Sequence, residues 1–227
     1  MLDDPHALAS SLDTRRRMIA ELAITVTESP WRLSRDHMTR AYKAGLSDDD
    51  VLHVVLLSSF FGHLNRIADA VAVPLDYPTT LGMPAFDPAR PPWATAPQLV
   101  VGRAAIDLAR RPATANAFTE WRHYIFYSHD EPLPRRYRTL IARNVAAWLG
   151  DGGISPPEDL TINPLDEALC ALAKLVTLAP WQLGDAAYAR LRASGFGDAE
   201  IFDVCATASS AGVFSRVEVA LASLALA

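Results

Sequence analysis

The sequence predicts an all-α protein built around an internally duplicated three-helix unit. Three observations lead there. Residues 17–71 align with 167–221 at a constant offset of 150 without a gap, and self-similarity at a fixed period marks a repeated structural unit. Proline and glycine fall where helices should stop, in both copies. No stretch alternates apolar and polar residues in the way a half-buried strand requires. The repeat rests on identical pairs that include Pro30-Trp31/Pro180-Trp181, Thr27/Thr177, Gly45/Gly195, Asp48/Asp198, Ser59/Ser209, Gly62/Gly212 and Arg66/Arg216.

The first helix of each copy is expected over 13–27 and 163–177, closed by Pro30 or Pro180, because proline lacks the amide donor and restricts the residue before it. The second, over 34–44 and 184–194, ends at Gly45 or Gly195, the residue type suited to a left-handed cap. The third opens with Ser47 and Asp50, a capping-box pair, or with Gly197 and Glu200, and runs to about residue 71 or 224. Between the copies, Pro74, Pro78, Pro84, Pro88, Pro91, Pro92 and Pro97 mark an extended linker. Helical patterns follow at 98–110, 113–128 and 134–149. Asp151-Gly152-Gly153 and Pro156-Pro157 then close the middle block.

Composition narrows the function. The chain has 227 residues, 50% of them hydrophobic, enough for a sizeable core, and a net charge of -5 that disfavours nucleic acid as a partner. The acidic start, MLDDPHALAS, does not read as a signal peptide, and the apolar run Val51–Phe61 is too short and polar to span a bilayer. No membrane partner and a cytoplasmic location are therefore expected. Two cysteines, Cys170 and Cys205, exclude a disulfide framework or zinc cluster within the chain. Their repeat counterparts are Ala20 and Val55, so both read as small core hydrophobes. The charge is uneven: residues 95–150 carry +4 and the rest -9. A small anionic ligand, an acidic face of another subunit, or simple solvation of an arginine-rich helix would each account for that.

The densest chemical cluster is Glu120-Trp121-Arg122-His123-Tyr124, continuing to Tyr127 and His129. Helical spacing puts Glu120, His123, Tyr124 and Tyr127 on one face, an arrangement open to acid–base chemistry or to plain solvation. His123 and His129 are six apart, which does not place two metal ligands on one helical face, and no metal site is expected. Arg66, with Asn65 beside it, reads either as an internally satisfied arginine or as a carboxylate fork.

The phrases Gly45-Leu-Ser-Asp-Asp-Asp-Val51, Asn65-Arg66-Ile-Ala-Asp69, Thr27-x-x-Pro30 and Leu133-Pro134-Arg135-Arg136-Tyr137-Arg138 resemble the carboxymuconolactone decarboxylase and alkylhydroperoxidase D-like (AhpD-like) superfamily, in its peroxidase-related branch. The resemblance implies a helical bundle, with 1–73 a first half-module, 74–97 the linker and 98–227 a second, nearly complete module. It also implies assembly through helices, most simply as a dimer. Redox-active members pair a Glu with a Cys-x-x-Cys-x-x-x-His helix. Here Thr139 stands at the Glu position, and Trp148–Pro157 holds neither cysteine nor histidine. The expectation is a non-catalytic subunit or small-ligand binder without cofactor. One alternative is a cofactor-free, decarboxylase-like enzyme using Glu120, His123, Tyr127 or His63, with Arg66, Arg138 and Asn65 holding a small carboxylate. The second is an alkylhydroperoxidase-type antioxidant enzyme.

Overall fold

The computed structural model describes residues 11–72, 89–104, 106–154 and 163–226. Among these lie eight α-helices and no β-strand: α1 Thr14–Glu28, α2 Arg35–Lys43, α3 Asp48–Ala70, α4 Pro112–Tyr127, α5 Arg135–Leu149, α6 Pro164–Leu178, α7 Asp185–Ala193 and α8 Asp198–Ala225. Short 3-10 turns occupy Pro30–Arg32, Leu108–Arg110 and Pro180–Gln182. Shifted by 150, the bounds of α1, α2 and the first proline turn coincide with those of α6, α7 and the last one. Helices α3 and α8 share a start, and α8 runs five residues further.

The helix ends follow local chemistry. Asp13 accepts from the Arg16 amide at 2.9 Å to open α1. Ser47 and Asp50 exchange the reciprocal bonds of a capping box, and Asn163 with Asp166 does the same at α6. Each bond satisfies one of the amides that a helix N-terminus leaves without an internal partner.

The segment 98–110 departs from expectation: instead of a helix it holds only the turn Leu108–Arg110. The β-branched pair Val100-Val101 followed by Gly102 favours extended backbone, and glycine inside a helix costs about 1 kcal/mol. Val100 bridges to the corner after α5, its amide donating to Gly150 O at 2.7 Å. Gly150 is left-handed (φ 81) and a Cβ there would come within 2.8 Å of Ala96 Cβ, so the corner accepts glycine for two reasons. Of the expected linker, residues 74–88 lie outside the described residues; 89–97 contain no helix. That stretch is tied down by Trp93 N to Leu178 O (2.9 Å) and Ala96 N to Trp148 O (2.8 Å).

Helix α8 is buried on every side from residue 207 to 217, as an apolar helix with no polar face must be. Its first half joins a core with α5 and α6, through Val204, Cys205 and Ala208. Its second half joins a core with α1 and α3, through Val213, Val217 and Leu221. The two copies cross: α3 packs on α8, and the proline turn of each copy packs on the long helix of the other. Two buried arginines fasten the crossing. Arg216 donates to Thr27 O (3.1 Å), Thr177 O (3.2 Å) and Gly212 O (3.2 Å), which covers last-turn carbonyls of both α1 and α6. Arg66 donates to Gly62 O at 2.7 Å and to Thr177 O at 3.5 Å. By length and composition α3 and α8 could each cross a membrane; 39% of the apolar window of α3 and 89% of that of α8 are buried inside the fold.

Candidate functional site

His63 sits on the inner edge of α3. Its Nδ1 lies 2.8 Å from Ser209 Oγ on α8, and its ring packs edge-on against Trp121 with centroids 5.1 Å apart. Partial burial, reinforced by the nearby Arg66 guanidinium, holds the imidazole below its usual range. Burial does the same to His37, with Arg40 adding to it. A base whose folded pKa is depressed binds more protons when unfolded, so its contribution to stability is present above pH ~6.5 and lost as pH falls. Unfolding free energy measured in urea should therefore decline from pH 7 to pH 5, and His63→Asn should make that decline shallower. An unchanged slope in the variant would show that His63 does not contribute.

Glu120, His123, Tyr124 and Tyr127 share one face of α4, and all four are exposed. The His123 and Tyr127 rings are 5.8 Å apart, and those of Tyr124 and His129 4.6 Å. Solvent covers this face because Ile125 and Phe126 point the other way, into the core. His63 packs instead on Trp121 and Phe60, so the four acid–base candidates fall in two separate places.

The ligand candidates also divide. Asn65 is exposed. Arg66 is buried, with its guanidinium 5.1 Å from the centre of the Trp93 ring, and burial pulls it down to about 10. Its Nε has no acceptor among the described residues. Arg138 is fully buried, and all five of its N–H groups are engaged: with Asp203 twice, with His129 Nδ1 and O, and with Glu131 O. That leaves none for a ligand.

The thiols are held protonated. Burial, with Asp166 adding to it, pushes Cys170 up to about 11, and burial pushes Cys205 up to about 12. A nucleophilic cysteine needs the opposite setting, a cation or helix N-terminus that stabilises thiolate. Among the described residues no three His, Cys, Asp or Glu side chains gather to hold a metal ion.

An open, mostly apolar groove lies between α3 and α4, with a volume of about 340 Å³. Leu56, Leu57, Phe60, Ala117, Phe118, Trp121 and Val213 form its apolar walls, and His53, Arg111 and Thr114 its polar end. Arg111 Nη1 lies 3.1 Å from His53 Nδ1, and Nη2 donates to Asp49 O at 3.3 Å. Sequence reasoning missed this site because its walls come from helices about sixty residues apart. The one available signal was Arg111-Pro112, a helix start whose preceding residue is not a capping type. Compared with known proteins, the chain has no significant match to any family model, curated protein or solved structure.

Proposed function

We propose that the chain is a catalytically silent member of the carboxymuconolactone decarboxylase/AhpD-like superfamily that works as a self-associating subunit, most simply a homodimer. The outer face of α3 carries this reading. Leu57, Phe60, Phe61 and Leu64 follow the i, i+3, i+4, i+7 rule and are 42, 44, 56 and 43% exposed. Their counterparts on α8, Thr207, Ser210, Ala211 and Phe214, are all buried, where α4 and α5 pack on that helix. On α3, Trp121 of α4 reaches Phe60, with ring centroids 6.3 Å apart, but all four side chains stay exposed. Contiguous exposed apolar residues of this kind mark association sites, and a two-fold contact of α3 with its own copy is self-complementary.

The raised thiols support the silent reading over thiol peroxidase chemistry. The acid–base alternative draws no comparable support, since Glu120, His123 and Tyr127 face solvent away from the groove. The test is the mass in solution. The parent should sediment at twice 24.7 kDa at micromolar concentration, and Phe61→Glu, which sets a charge in the stripe, should sediment as a monomer with unchanged helicity. A monomeric parent would overturn the proposal, as would a variant that still dimerises.

A further inference from the structure

We infer that the groove between α3 and α4 binds an amphiphilic monocarboxylate, its apolar body along Phe60, Phe118 and Trp121 and its head group at Arg111. The volume of about 340 Å³ lies within the range of small-molecule sites, about 300–1,000 Å³, which are mostly apolar with a few placed polar groups. Here the polar groups are confined to one end. Along α3 the groove runs from His53 to Phe60, roughly 10 Å at the helical rise. That length suits a medium-chain acid.

The charge at this end favours a carboxylate. Next to the groove, Arg110 is committed to Asp48 and Asp49. Arg111 has no carboxylate within 4 Å among the described residues; its described partners are a histidine nitrogen and a backbone carbonyl. His53 adds a nitrogen-bearing ring to the same end. Helix α4 begins here at Pro112, and the Arg111 side chain makes no capping bond, so the positive end of the helix dipole adds to the attraction. A single guanidinium fork matches one carboxylate, and the apolar walls select for a tail.

This inference goes beyond the self-association reading: Leu57 and Phe60 are common to the groove and the stripe, but the head-group end at His53 and Arg111 and the α4 wall lie outside the stripe. The experiment is a calorimetric titration with decanoate, below its micelle concentration, and with decanol as the uncharged partner. Decanoate should bind the parent saturably at one site per chain, at least ~10-fold more tightly than decanol. Arg111→Gln should weaken decanoate about 10-fold and leave decanol unchanged. Ala117→Trp, which fills the groove, should abolish both while the helical signal persists. Phe61→Glu should bind like the parent whether or not it is a monomer. Absence of saturable decanoate binding, equal affinity for the alcohol, or parental affinity in Ala117→Trp would each overturn the site. Loss of binding in Phe61→Glu would move the acid to the subunit contact and overturn it as well.

Discussion

Arg138→Ala should cost about 3–5 kcal/mol of folding stability, because removing one member of a buried ion pair leaves its partner uncompensated. Arg138 is fully buried and the Asp203 side chain is 13% exposed. Besides this pair, the guanidinium holds His129 O at 2.9 Å and Glu131 O at 3.1 Å, and Asp203 Oδ2 also accepts from the Leu133 amide at 3.2 Å. One arginine thus ties the connection between α4 and α5 onto α8. Asp203→Ala should be comparably damaging, and the double variant should lose less than the two singles added together, since each single already breaks the shared network. Urea unfolding measures all three. A loss below about 1 kcal/mol, the range of exposed pairs, would show that the cluster contributes no more than a surface contact.

The second large effect is expected at the crossing of the two copies. Arg216→Met keeps most of the volume and removes a buried charge, which by itself favours the variant. Against that, it strips the guanidinium from three carbonyls, and bonds to charged groups are each worth about 1.5–3 kcal/mol. Burial holds the Arg216 pKa well below the usual arginine value, with Arg66 lowering it further. The lost bonds outweigh the relieved desolvation, and a net loss of about 3 kcal/mol is expected. Arg66→Met should cost less, because Arg66 makes one short bond and one at 3.5 Å. Equal losses, or a larger one for Arg66→Met, would contradict the assignment of Arg216 as the shared cap of α1 and α6.

Much of the architecture was legible in local chemistry. The Ser47–Asp50 box, the prolines after α1 and α6, and the glycines after α2 and α7 mark helix ends through backbone rules that need no tertiary context. Where tertiary contacts decide, the reading failed. Residues 98–110 look helical by spacing, yet Val100 finds its backbone partner at Gly150, fifty residues on. The site was less legible still. Helical periodicity says that Glu120, His123 and Tyr127 share a face, not that this face meets water. Arg138, a ligand candidate by its motif, keeps step with buried Ile141, Ala142 and Val145 on α5. That phase is the sign of an arginine satisfied from within. Arg135 and Arg136, in the same phrase, are exposed.

The crossed packing of the copies bears on how the chain comes off the ribosome. Residues such as Val51, Leu52 and Val55 on α3 complete their core only with Val213, Val217 and Leu221 on α8, roughly 160 residues later. At a synthesis rate of about 5–20 residues per second, the first copy waits roughly 8 to 32 s with its inner apolar face uncovered. Over that interval it is a partly folded nascent chain with apolar surface exposed. Its most distant contacts close only after α8 has emerged.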